Sequence, residues 1–261
     1  MIGQCCSCHE EKSLYNLRKG VNKCSKCICD QIGRSVMDTF RKALKGIPPP
    51  VNVLVCVSGG PSSMFAYHIL KSRLNLGFTG KSAVVKRLEA ISSRELPIEN
   101  LNIIPKFGVK EVVEFAKENG FNCVVLGDCV DRVSLGVFGV LSQGRTDLFP
   151  WVSGDDLQNY MPVAVLRPVR QCLAIETTFY CRENGIEVIE ELSPFQKAFE
   201  IETKMIKRIG EEGSEATPFA VQKMAERLAA HKSNAFCSVC GLPSKVPTEK
   251  CEICQAIELY Q

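Results

Sequence analysis

Two hydrophobic patterns alternate along this chain. Short unbroken apolar runs give way to stretches whose apolar residues recur every three or four positions. The clearest run is Val53-Leu54-Val55-Cys56-Val57, between the prolines at 48–50 and a glycine pair. A short β-branched run of that kind predicts a buried strand of a parallel sheet. Ser58-Gly59-Gly60 turns the chain and Ser62-Ser63 opens a helix. The stripe of that helix, Phe65 and Ile69 with Ala66, Leu70 and Leu74 beside it, stops near Gly77.

The same alternation recurs on either side. Upstream, Gly33 to Lys45 carries Val36, Met37, Phe40, Ala43 and Leu44 on one helical face, and Ile47-Pro48-Pro49-Pro50 forms a stiff linker. Downstream, Phe78 to Phe107 is the least legible stretch, with Ala83-Val84-Val85 and Leu101 to Ile104 as strand candidates. A helix from Val109 to Gly120, a strand at Cys123 to Gly127 and a helix from Val130 to Gly144 follow. Then come a strand at Val163 to Leu166, a helix from Ala174 to Asn184 and a last strand at Ile186 to Ile189. Ser193-Pro194-x-Gln196 and Thr217-Pro218 start two more helices, the second with Val221, Met224 and Leu228 inward. Alternating strands and helices predict a parallel sheet covered on both faces, a doubly wound α/β domain.

Composition changes this picture at one point, the cysteines. Apolar content of 45%, charged content of 23% and a net charge of +3 are ordinary for a globular protein, and permit an RNA partner without arguing for one. No apolar run approaches membrane-spanning length, and MIGQCCSCHEE lacks an apolar signal segment, which fits the cytosol. Fifteen cysteines are a heavy load. Cys5-x2-Cys8 is followed by Cys24-x2-Cys27, and Cys237-x2-Cys240 by Cys251-x2-Cys254. Each CxxC turn aims two thiolates at one point, and two turns complete a tetrahedron for Zn²⁺. The spacing predicts two Cys₄ zinc sites, with Cys6 and Cys29 as competing ligands in the first. Arg18, Lys19, Lys23 and Lys26 decorate the first module, where they suit a phosphate backbone or simply a solvated surface.

A strand, a glycine turn and a helix N-terminus together make an anion cradle, from the free N–H groups and the positive end of the helix dipole. The loop is neither GxxxxGK[ST] nor GxGxxG. SGGPSS at 58–63 does resemble the SGGxDS signature of the PP-loop ATP pyrophosphatases, which adenylate a carbonyl or amide oxygen. The Asp of that signature falls on Ser62. The order of motifs extends the resemblance over nearly the whole chain: a Cys₄ knuckle, a helix, SGGxxS, LGDxxDR, Val-Leu-Arg-Pro, SPFQKAF and a terminal Cys₄ ribbon. That order is similar to the tRNA 2-thiolation branch, in which ATP adenylates the C2 oxygen of a tRNA uridine and sulfur displaces AMP. With Ser62 in the Asp position, the chain looks like the second subunit of the eukaryotic cytosolic enzyme, the cytoplasmic tRNA 2-thiolation protein 2 family.

The resemblance implies a PP-loop fold of the adenine nucleotide alpha hydrolase type between two zinc modules. By residue number it implies a zinc module at 1–32, a linker helix and Pro-rich linker at 33–50 and the α/β domain at 51–192. C-terminal helices at 193–235 and a zinc ribbon at 236–261 complete it. It also implies a catalytic partner subunit, tRNA held in part by Arg18, Lys19, Lys23 and Lys26, and sulfur from a thiocarboxylated ubiquitin-related modifier. Ser58, Gly59, Gly60, Ser62 and Ser63 would form a degenerate ATP loop, with no catalytic residue in this chain. Catalytic relatives carry a middle CxxC before the strand that here is Cys123–Gly127 and a cysteine two residues before the SP dipeptide. Here no cysteine lies between Ser58 and Asn122, and Glu191 holds the latter position. Two readings compete: a self-sufficient enzyme using Ser62 with Cys129 or Cys181, and a zinc-ribbon scaffold that no longer binds nucleotide.

Overall fold

The structure is a computed structural model. It describes residues 2–18, 20–74, 82–86, 101–103, 109–155, 160–189, 194–212, 214–228, 237–239 and 250–258. Two small antiparallel hairpins come first, β1 (Ile2–Gln4) with β2 (Glu11–Ser13) and β3 (Tyr15–Arg18) with β4 (Val21–Lys23). Helix α1 (Ser25–Leu44) follows directly, with Cys24 as its N-cap. It begins eight residues earlier than the expected Gly33, so the second CxxC pair lies at its first turn. Ile28 and Ile32 extend the stripe of Val36, Met37 and Phe40, and all five are buried.

Strand β5 (Val53–Val57) and helix α2 (Pro61–Leu74) flank the glycine loop. Both candidates in the poorly legible stretch are strands, β6 (Ser82–Lys86) and β7 (Leu101–Ile103). Then come α3 (Val109–Glu118), β8 (Cys123–Val125), α4 (Val130–Ser142), α5 (Phe149–Ser153), β9 (Ala164–Leu166) and α6 (Ala174–Glu183). The described chain closes with α7 (Pro194–Ala198), α8 (Glu200–Glu211), α9 (Ala216–Arg227) and α10 (Glu252–Glu258).

The five strands β5 to β9 form one sheet in the order β7-β6-β5-β8-β9, every neighbouring pair parallel. Strand β5 is central and buried at every position, which is why its sequence shows no alternation. Val53, Val55 and Val57 face α1, α2 and α6 through Phe40, Phe65 and Tyr180. Leu54 and Cys56 face the other layer, with Val112, Val113 and Ala116 of α3. Burying a Val or Leu side chain fully stabilises by about 1.5–3 kcal/mol, so this strand anchors the fold. A third cluster joins Leu135, Val137 and Val140 of α4 to Phe149, Trp151 and Phe199, and it takes in Cys237, Cys251, Ile253 and Cys254.

Two expectations are corrected. Ile186–Ile189 pairs in no ladder among the described residues. Instead it reaches the loop after β5, where the Ile189 N–H donates to the Gly59 carbonyl at 2.8 Å. In α9, Met224 and Leu228 are exposed, and the inward positions are Pro218, Gln222 and Ala225, with Val221 partly buried. The helix is rotated from its apolar stripe because Ser134 of α4 donates to the Pro218 carbonyl at 3.0 Å and fixes that face inward. Ser193 and Glu191 lie outside the described residues.

Candidate functional site

The strand order reverses at β5. Its connection through α2 leads to β6 on one side, and β8 lies on the other, so the loops after β5 and β8 open a crevice at the carboxyl ends of the strands. Open α/β sheets bind ligands at such a point. Gly59 turns the first loop with φ of 88°, a conformation that favours glycine. The second loop must pass unusually close. A Cβ on Gly127 would lie 2.8 Å from the backbone N and 2.9 Å from the Cβ of Ser63, and closer still to its Cα. Only a glycine lets the end of β8 seat the first turn of α2.

The loop's hydroxyls are engaged internally. Ser63 Oγ donates to the Gly60 carbonyl at 2.9 Å and accepts from the Ser58 N–H at 3.2 Å. Its single proton is thereby used, so Ser58 Oγ, 3.1 Å away, is the donor between the two hydroxyls. Ser62 lies 3.0 Å from Thr177 Oγ1 of α6, and Thr177 itself donates to the Ala174 carbonyl. Ser62 therefore donates to Thr177, and it also faces the Cys129 thiol. The five predicted loop residues thus converge, with Thr177 and Gly127 as further members. Neither was predicted: Gly127 stood in the LGDxxDR motif unread, and Thr177 carried no local signal.

Around the crevice, the acids after β8 have structural partners. Arg167, buried at the end of β9, donates to Asp128 at 3.2 Å and to the carbonyls of Gly154 and Trp151. Asp131 accepts the Ala174 N–H at 2.6 Å and caps α6, and burial raises its pKa. Burial likewise pushes the thiols of Cys129 and Cys181 up to about 12, and that of Cys172 upward. A thiol with a pKa near 12 is thiolate in only about one molecule in 10⁵ at pH 7. These cysteines are buried packing residues poorly disposed to act as nucleophiles, and none of them converges with other ligands.

The first metal module matches its spacing. The sulfurs of Cys5, Cys8, Cys24 and Cys27 all lie within 4.8 Å of one another, and Cys8 and Cys24 are 3.9 Å apart. A tetrahedral ion with metal–sulfur bonds of about 2.3 Å needs edges of about 3.8 Å, so the thiols fit a single ion. An iron–sulfur cubane places its own iron and sulfide between thiolates and needs them spread wider. Cys6 is exposed outside the cluster, and half-buried Cys29 is turned toward Asn184. Backbone N–H groups of Cys24, Cys8 and Ser7 lower the Cys5 pKa to about 6, whereas burial raises that of Cys27 to about 12. In the second module Cys237, Cys251 and Cys254 converge within 4.8 Å, and Cys240 lies outside the described residues. The two modules share one device: Cys5 accepts N–H groups from Ser7 and Cys24, and Cys237 accepts them from Val239 and Cys251. Among the described residues no third group of His, Cys, Asp or Glu ligands converges.

Of the basic residues on the first module, Arg18 is turned inward. Its Nε and Nη2 donate to the two oxygens of buried Glu176 at 2.7 and 2.9 Å. Tyr15 packs edge-on against Phe179 of the same helix, with ring centroids 4.8 Å apart. Arg18 is thus a clamp between the module and α6, a role its sequence position does not announce. Lys23 donates to Gln31, Lys26 is exposed, and Lys19 lies outside the described residues.

No family model matches the chain, and no curated protein matches it either. Among solved structures it is similar to the U34-tRNA thiolase NcsA from Methanococcus maripaludis, which carries a [4Fe-4S] cluster. The TM-score is 0.71 and the identity 15%, over 99% of this chain and 97% of that one. The chain therefore has the α/β fold of a PP-loop tRNA thiolase, framed by two cysteine clusters able to hold metal.

Proposed function

We propose that this chain is a subunit of a heterodimeric tRNA sulfurtransferase, required for 2-thiolation of the wobble uridine of cytosolic tRNAs, with the chemistry on its partner. The observation that carries this reading is the nearly end-to-end likeness to a tRNA thiolase combined with a loop whose own chemistry is missing. In the proposed reaction the uridine O2 attacks the α-phosphorus of ATP and pyrophosphate leaves. The sulfur of a thiocarboxylated ubiquitin-related modifier then attacks C2, AMP departs with the former O2, and water cleaves the modifier's acyl C–S bond, leaving its carboxylate and 2-thiouridine. This chain offers Gly59, Gly60 and the α2 N-terminus to an anionic group. Ser62, however, is a neutral donor where the signature has a carboxylate, and burial pushes the neighbouring Cys129 thiol up to about 12. Its contribution is to bind and position tRNA, and each metal module would hold one Zn²⁺.

Two measurements test this. Bulk tRNA from cells lacking the gene should lose wobble 2-thiouridine, and unchanged levels would refute the thiolation reading. In vitro, the chain with ATP and a sulfur donor should leave a tRNA transcript unthiolated until the partner subunit is added. Turnover by the chain alone would make it the enzyme itself.

A further inference from the structure

The net charge of +3 hides a segregation. Residues 1–45 hold nine Lys and Arg against four Asp and Glu, a net of +5, which leaves −2 on the other 216 residues. Within this basic segment Arg18 is already neutralised by Glu176. The excess sits mostly on α1 and its C-cap Lys45, where the exposed residues include Lys26, Arg34, Arg41, Lys42 and Lys45 against Asp30 and Asp38. At 100° per residue the five cations fall within a sector of about 160°. Lys26, Lys42 and Lys45 make no ion pair among the described residues. Arg41 meets Asp38 only at 3.8 Å, with both side chains more than 60% exposed. Asp30 and Asp38 lie in the same sector, which therefore carries a net of +3, and Met37 lies near its edge, whereas Ile28, Ile32, Val36 and Phe40 point the other way, into the core.

We propose that the outer face of α1, from Lys26 to Lys45, is a track for the sugar–phosphate backbone of RNA, continuous with the first metal module. The continuity is structural. Cys24 caps the helix and Cys27 lies in its first turn, so module and track form one rigid body about 30 Å long. Cations spaced along a rigid rod suit a polyanion with regularly spaced charges, and arginine adds bidentate phosphate contacts. The face has no exposed apolar residue to insert between lipids, which disfavours a membrane surface. The identity of the RNA as tRNA rests on the thiolation reading; the track itself does not.

The test uses the full metal-loaded chain and fluorescence anisotropy with a tRNA transcript across a salt series. The track variant is Arg34→Gln with Arg41→Gln and Lys45→Gln. The control variant is Lys204→Gln with Lys207→Gln and Arg208→Gln on α8, whose side chains are at least 75% exposed. All six positions are on the surface, and thermal melts should be unchanged. The track variant should lose about tenfold or more in affinity at low salt. Its log K against log[salt] slope should shrink by about 2 to 3, and the control should shift neither. An unchanged slope, or an equal loss in the control, overturns the track. A loss confined to binding of phosphatidylserine vesicles overturns it in favour of a membrane surface. If the track variant fails to bind while gene deletion leaves 2-thiouridine intact, the track stands and the thiolation reading falls. If binding is unchanged while deletion abolishes 2-thiouridine, the track falls and the thiolation reading stands.

Discussion

Replacing Arg18 with Met removes the guanidinium and keeps an apolar stem beside Phe219. Glu176 is then a carboxylate at 4% exposure with the Leu173 N–H, 2.8 Å from Oε2, as its remaining described partner. Breaking a fully buried ion pair costs about 3–5 kcal/mol. The Arg18 side chain is 39% exposed, however, so water screens part of the pair and can enter when it is lost. We therefore expect about 2–3 kcal/mol. Glu176→Gln keeps one oxygen for the Leu173 N–H and Arg18 Nη2 but sets an amide NH2 against the Arg18 Nε–H, and should cost about 1–2 kcal/mol. The double variant should lose less than the sum of the two. Urea denaturation of the metal-loaded full chain, run as a double-mutant cycle, reads the coupling, expected at about 1 kcal/mol or more. Limited proteolysis should release the first 24 residues earlier in Arg18→Met than in the parent. The tRNA salt slope should not move, because the guanidinium faces α6. Additivity within about 0.5 kcal/mol, or a shortened slope, would refute the clamp.

Three further outcomes follow from the geometry. Metal analysis should find two ions per chain, and Cys5→Ser should lower the count by one and unfold the first module while the sheet survives; iron in place of zinc would show as visible absorption. Gly127→Ala should lower the melting temperature by an amount equivalent to about 2–4 kcal/mol, because the new methyl meets Ser63 backbone on an element fixed at both ends. Burial and the nearby Lys71 lower the His68 pKa below 6.5, so the unfolded chain takes up a proton first as pH falls, and stability should decline below pH 6.5. His68→Gln, which keeps a partner for the Tyr180 hydroxyl 3.0 Å away, should flatten that decline between pH 7 and 5.

Elements whose burial is dictated locally were legible in the sequence, and those fixed by distant partners were not. Val53–Val57 reads as a buried strand because both faces are covered, and the Cys₄ spacing reads as a site because each knuckle folds on itself. Ile28 and Ile32 continue the stripe of Val36 and Phe40 in register, but the metal spacing masked them and placed the helix start too late. Ile186–Ile189 has the composition of a strand. Its backbone bonds the Gly59 loop instead, a choice made by residues more than 120 positions away. Arg18 is one of several basic residues on a hairpin until Glu176 is known to lie beneath it, 158 residues further on. The loop departed from its signature at Ser62, and the structure shows the consequence in the bond to Thr177.

The placement of α1 also has a temporal side. Its apolar stripe is complete once Leu44 has left the ribosome, yet its partners include Val169 and Cys172 beyond β9 and Tyr180 of α6. Those arrive about 125 residues later, roughly 6–25 s at ordinary elongation rates. Through that interval the helix has only β5 and α2 of its final core partners, with its own hydrogen bonds and the metal clip at its first turn to hold the rest. Metal supply during synthesis therefore governs how much of the nascent chain waits as an ordered helix and how much as a sticky unfolded segment. Starving cells of the metal should send this protein into aggregates as it is made, while copies already folded persist.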